Sequence, residues 1–179
     1  MQCSIHLEGE ENVIKISEVE ETVIKISEAD RDDLEEILKL QHLAYQSEAK
    51  LLNNFSIQPL TEKLEELIQE YESGYVYKAI TSSGQILGSV RGYIQENTLF
   101  IGKLIVHPSY QGKGIGSKLL QYIESSHPEY RRELYTSDKS IRNLKLYERM
   151  GYKRFKEKTV TEDLSLIYLE KEAMSEDSL

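Results

Sequence analysis

HPSYQGKGIGSKLL, residues His107–Leu120, sets glycines at the alternate positions Gly112, Gly114 and Gly116 directly behind a run that is apolar on both parities. That run, Thr98–Val106, carries Leu99, Ile101 and Ile105 on one parity and Phe100, Leu104 and Val106 on the other, so it reads as a central strand covered on both faces and ended by Pro108. Downstream, Ile115, Leu119, Leu120 and Ile123 trace one helical face. A buried strand, a bare loop and a helix start in this order form an anion site, because the first amides of a helix are unpaired and glycine lets a ligand approach the backbone. The same glycines also serve a tight turn and close helix packing.

Two phosphate-loop patterns do not fit. A dinucleotide fingerprint counted from Gly112 puts Ser117 where its third glycine belongs, and a nucleotide P-loop puts Ser117 at its second glycine with Leu119 after the lysine. What remains is a strand end, a short loop and a helix opening with Gln111, Gly112, Gly114 and Gly116, where a diphosphate would fit.

The other elements follow from periodicity. VIKISE at Val23–Glu28 alternates as a half-buried strand and leads into a helix with the stripe Leu34, Ile37, Leu38, Leu40, Leu43. PLTEKLEELIQEYESG predicts a second helix capped by Thr61, with Leu64, Leu67 and Ile68 inside and Gly74 as its stop. YVYKAITSSGQILGSVRGYI reads as two strands, which continue through QEN into the central strand as a meander. After the glycine helix come a strand (RRELYTS), a helix (SIRNLKLYERMG, capped by Ser140 and stopped by Gly151) and a closing strand or hairpin ending in VTEDLSLIYLEK. The order predicts a single α/β domain with a mixed sheet.

VIKISE also occurs, unchanged, at Val13–Glu18. This surplus copy can add to a sheet edge, exchange with its twin, or stay peripheral as part of an acidic tail. The organisation read from these features is an acidic extension over 1–21, a domain over 22–172 and a tail over 173–179.

The 179 residues carry 22 basic and 31 acidic side chains, a net charge of −9. Residues 1–36 hold 3 basic and 12 acidic groups, so the body of the chain is neutral, while Lys103–Lys158 holds 13 basic and 6 acidic groups. The overall charge disfavours nucleic acid as a partner, and the local basic excess attracts a phosphorylated ligand. No apolar run reaches the roughly 18 residues of a membrane span. Cys3 is the sole cysteine and the amino terminus is acidic, with none of the basic-then-apolar order of a secretion signal; a cytoplasmic protein is expected. His6, His42, His107 and His127 have no partners at ligand spacing, so no metal is expected.

LIVHPSYQGKGIG resembles the cofactor-binding motif of the GNAT superfamily of N-acetyltransferases, Gln/Arg-x-x-Gly-x-Gly/Ala after a buried strand, with Gln111, Gly114 and Gly116 at its key positions. NLKLYERMGYKRF is similar to that family's second motif, through Asn143, Tyr147, Gly151 and Tyr152. The resemblance runs from about Val23 to Lys171. It implies the acyl-CoA N-acyltransferase fold, a mostly antiparallel sheet with a central splayed parallel strand pair flanked by helices. It also implies acetyl-CoA as donor, with Gln111, Gly112, Lys113, Gly114, Ile115, Gly116 and Ser117 around the pyrophosphate. Leu104, Ile105 and Val106 would pair with the pantetheine arm, one strand amide would face the thioester oxygen, and Asn143 would hold the arm.

By the same resemblance Tyr147 is the general acid that protonates the departing thiolate, although it also continues the apolar stripe Ile141, Leu144, Tyr147. The acceptor, a small-molecule or peptide amine, would meet the segment containing Tyr45, Gln46 and Glu48. No general base is evident; Glu48, Glu96 and Glu133 all read equally as surface acids. A homodimer is left open. The competing reading is a non-catalytic acyl-CoA-binding module with an acidic interaction arm, which needs the glycine loop but not Tyr147.

Overall fold

The computed structural model describes residues 13–15 and 23–174. Its eight strands form one sheet in the order β1-β2-β3-β4-β5-β6-β8-β7. They are β1 (Val13–Lys15), β2 (Val23–Glu28), β3 (Tyr75–Thr81), β4 (Ile86–Gln95), β5 (Thr98–Val106), β6 (Arg131–Ser137), β7 (Lys153–Thr161) and β8 (Leu164–Lys171). Four helices, α1 (Leu34–Ala44), α2 (Gln46–Leu52), α3 (Gln58–Thr61) and α4 (Leu64–Ser73), connect β2 to β3; α5 (Ile115–Ser126) connects β5 to β6 and α6 (Ile141–Arg149) connects β6 to β7. Every pairing is antiparallel except β5 with β6.

Burial follows the sequence pattern. Ile24 and Ile26 of β2 face the core, and Ile115, Leu119, Leu120 and Ile123 of α5 are buried against Leu87, Val90 and Leu99 of the meander. A second core on the other side of the sheet joins Leu34, Ile37 and Leu40 of α1 to Leu67 of α4, Val76, Ile86 and Ile105. Helices therefore cover both faces, but Leu99 and Ile101 enter the first core while Ile105, read on the same parity, enters the second, because an irregularity in the β4–β5 register shifts the alternation. Leu43 departs from the predicted stripe and is 45% exposed.

The segment before α4 also departs from expectation. Thr61 ends the short helix α3, and α4 restarts at Leu64 with Lys63 before it, whose amide donates to Glu66 Oε2 at 2.7 Å. Between the two helices Glu62 is extended, with its carboxylate wholly buried between cations. Arg91 reaches Glu62 at 2.9 Å and Glu70 at 2.6 Å, and Lys103 contacts Glu62 and, at 2.9 Å, Glu70. Gln41 Nε2 adds a bond to Glu62 at 2.8 Å. Burial opposes the Glu62 charge, but the Lys103 and Arg91 cations and the Gln41 amide outweigh it and hold the carboxyl below the usual range. This network ties α1, α3 and α4 to β4 and β5.

Arg132 closes the opposite end. Its wholly buried guanidinium donates to the carbonyls of Glu124 (3.2 Å), His127 (3.4 Å), Pro128 (3.1 Å) and Glu172 (2.6 Å). It supplies partners for carbonyls at the end of α5 and locks the residue after β8 to them. The first VIKISE copy adds to the sheet edge through β1, with Ile14 opposite Ile24; the rest of the acidic extension, with Cys3, and the tail beyond Met174 lie outside the described residues.

Replacing Arg132 with Met strips the charged donor from all four carbonyls and leaves those of Glu124, His127 and Pro128 with only the backbone amides of His127, Tyr130 and Met174. The expected cost is about 3 kcal/mol, seen as a fall in Tm on the order of 10 °C.

Candidate active site

The parallel pair β5 and β6 matches only at Thr98–Phe100 against Arg131–Glu133. Beyond those residues the strands share no pairing, although β5 runs to Val106 and β6 to Ser137. The divergence begins beside a bulge: Ser89 pairs with Ile105 and Arg91 with Gly102, so Lys103 and Leu104 stand against Val90 alone. Lys103 takes φ +49°, a left-handed conformation costly for a side-chain-bearing residue inside a strand, and its ammonium is held by Glu62 and Glu70.

A cavity of about 870 Å³ opens at this divergence. Leu104, Ile105 and Val106 line it, followed by the loop residues Tyr110, Gln111, Gly112 and Gly114 and the first residues of α5, Ile115, Gly116 and Ser117. Gly112 and Gly114 have φ +79° and +86°, which answers part of the glycine question: the backbone turn itself demands them. A Cβ at either would meet nothing within 4 Å, so both also leave space on the cavity side. Gly114 stands at the N-cap of α5 and has no side chain to cap it. The amides of Ile115, Gly116 and Ser117 are thus left for an anion. Gln111 stabilises the loop, donating Nε2 to Val106 O at 3.1 Å and contacting Arg142 through its other amide atom.

Lys113 does not line the cavity; its ammonium lies 5.3 Å above the Tyr110 ring. Gln46 is also off the wall, donating to His42 O at 3.1 Å. Tyr45 and Glu48 do line it, as does Asn143, whose Nδ2 reaches Thr136 Oγ1 at 3.4 Å. Tyr147 belongs to the hydrophobic core rather than to the wall, 6.1 Å from the Tyr152 ring. Burial and then the Glu48 charge push its phenol up to about 12. Tyr45 is raised by desolvation and then by the Tyr147 phenol, with Arg91 pulling the other way. The Glu48 charge thus contributes to raising both phenols.

Sequence reasoning missed one wall. Arg142, Lys145 and Arg149, at intervals of three and four residues, form a basic stripe along α6, and Lys139 stands just before it. None of the four has a carboxylate partner among the described residues. Their helical spacing was visible in the sequence; that this face turns toward the glycine loop was not. Among the described residues no helix is long and apolar enough to cross a membrane, and no group of three or more His, Cys, Asp or Glu side chains gathers as a metal site.

Residues 33–152 match the acetyltransferase (GNAT) family. The chain belongs to that family. A curated Bacillus subtilis relative, the UPF0157 protein YqkA, is 28% identical over 120 residues, 66% of this chain; the GNAT chain spans about a third of that relative's length. Among solved structures, the ribosomal-protein-S18-alanine N-acetyltransferase of Escherichia coli aligns with a TM-score of 0.69 at 15% identity, over 87% of this chain and 98% of that one. An aminoglycoside 6′-N-acetyltransferase complexed with coenzyme A aligns with a TM-score of 0.66 at 18% identity, over 84% and 97%. At such identities these likenesses show the fold.

Two outcomes are expected. Gly114→Val strains the left-handed turn and fills the cavity side, so affinity for coenzyme A, measured by calorimetry, falls at least about 10-fold, while the strain alone costs on the order of 1–3 kcal/mol of stability. The raised Tyr147 pKa makes its contribution to stability complete below pH 10, the usual phenol value, and that contribution is lost as pH climbs toward 12. Urea unfolding at several pH values reads this fall, and Tyr147→Phe flattens it.

Proposed function

We propose that this GNAT protein moves the acetyl group of acetyl-CoA to a primary amine by direct attack in a ternary complex. The observation carrying this reading is that one cavity joins an unpaired strand edge, Leu104–Val106, to the uncapped start of α5. A pantetheine arm has amide groups that satisfy a strand edge, and its pyrophosphate suits the free amides of Ile115, Gly116 and Ser117. The basic stripe on α6 and Lys139 supply attraction for the remaining phosphate charge. Both ends of an acyl-CoA thus find complementary groups on one wall system.

In this reading a free amide of the β5 edge points at the thioester oxygen and stabilises the negative charge that builds there when the amine attacks. Asn143 holds the arm. Tyr147 donates its phenolic proton to the departing sulfur, and its raised pKa keeps that proton in place at every physiological pH. No covalent enzyme intermediate is invoked. Solved structures of this fold include an alanine N-acetyltransferase of a ribosomal protein and an aminoglycoside acetyltransferase, so the acceptor here is sought among amines.

The burial of Tyr147 favours a second reading, a non-catalytic acyl-CoA-binding module. Release of free thiol from acetyl-CoA, measured across polyamines, aminoglycosides, amino acids and short peptides, separates the two. The transferase releases thiol with at least one pool, and Tyr147→Phe lowers kcat about 100-fold with acetyl-CoA affinity unchanged. Silence in every pool, with acetyl-CoA still raising Tm, supports the binding module.

A further inference from the structure

We propose that Glu48 is the general base of this acetyl transfer and that Ser140 is its positioning residue. The inference rests on the transferase reading above and supplies the proton acceptor which that reading lacks. An aliphatic amine has a pKa near 10.4 and arrives as ammonium, so the attack cannot begin until something takes a proton from it.

Glu48 is the only carboxylate among the residues that line the cavity. Its competitors are engaged elsewhere. Glu62 is wholly buried between Arg91 and Lys103, Glu70 binds the same two cations, Glu124 holds Lys171 and the Tyr152 hydroxyl, and Glu133 holds Arg131. Each of these carboxylates already spends its charge on a cation. Glu48 has no cationic partner among the described residues; it accepts a hydrogen bond from the Ser140 hydroxyl, 92 positions away in the chain.

That bond uses Ser140 in an unexpected way. Ser140 occupies the N-cap position of α6, where a serine hydroxyl ordinarily accepts from the helix's own first turn, yet it makes no such cap. The cap is given up so that the hydroxyl can orient a carboxylate on α2. The titratable and charged groups that share the cavity wall with Glu48 are Tyr45 at the junction of α1 and α2 and the cations Lys139, Arg142, Lys145 and Arg149, and the Glu48 charge also acts on the buried Tyr147 phenol of α6. From β5 come only the apolar side chains of Leu104, Ile105 and Val106.

The buried Tyr147 phenol, whose pKa is raised first by burial and then by the Glu48 charge, keeps its proton for the departing sulfur and leaves the task of base to the carboxylate. The ammonium gives its first proton to Glu48, which passes it to solvent. The neutral amine then forms the N–C bond to the acetyl carbon. As the C–S bond breaks, sulfur takes the phenolic proton of Tyr147 and Glu48 takes the second proton of the nitrogen. Transfer of that proton from Glu48 to the Tyr147 phenolate restores both groups. The ammonium has lost two protons, one now on the thiol and one in solvent.

The test compares Glu48→Gln with wild type on spermidine, kanamycin and an alanyl peptide, which arrive protonated, and on hydroxylamine, which is neutral at pH 7. Glu48→Gln is expected to lower kcat at least about 100-fold on whichever protonated amine the wild type accepts, to lose far less on hydroxylamine, and to bind acetyl-CoA unchanged by calorimetry. Ser140→Ala lowers kcat on the protonated amine more weakly, and Ser140→Thr restores it. Equal losses on both classes of nucleophile, or a rise in acceptor KM with kcat kept, overturn the proposal. A wild type that binds acetyl-CoA but releases no thiol with any amine overturns the transferase reading, and this proposal with it.

Discussion

Backbone amides and carbonyls buried without partners cost too much to be common, and the sheet departs from full pairing in the middle, where β5 and β6 match over Thr98–Phe100 and then share no further pairing. Much of the surrounding architecture bears on keeping that gap open. The bulge at Lys103 swings β5 aside, the buried carboxylate of Glu62 and the exposed one of Glu70 hold the lysine, and Arg91 holds both carboxylates. A cluster of buried charge is a weak source of stability, because desolvation cancels most of the attraction; here it is better understood as fixing one strand geometry among several.

The second constraint is electrostatic. The protein has a net charge of −9, yet its acidic excess lies in residues 1–36, while the cavity wall carries Lys139, Arg142, Lys145 and Arg149. Cations without carboxylate partners repel one another, and the free amides of α5 add a positive partial charge. Such a wall is unfavourable alone and favourable around phosphate.

The α/β class, the meander, the buried β5 and the glycine turn were legible because each rests on local chemistry: two apolar parities, positive φ, an uncapped helix. Leu104, Ile105, Val106, Gln111, Gly112, Gly114 and Gly116 line one cavity because strand and loop are continuous in the chain, and Asn143 joins them from a second motif on α6. Glu48 and Ser140 could not be joined, since 92 positions separate them and only the packing of α2 against the start of α6 brings them together. The Thr61 cap failed for a related reason. Glu62 is claimed by cations on two strands, and a tertiary ion pair overrode a local helix signal.

The strand β7 is exposed along its whole length and bears Lys153, Arg154, Lys156 and Lys158. It is one outer edge of the sheet, and a bare edge invites another copy to add on strand by strand. Two such edges laid side by side would bring rows of like charge within a few ångströms, so the sheet resists growing into a fibre from this side. Assembly of two copies through the β7 edge is therefore disfavoured, and a dimer would have to form on another face.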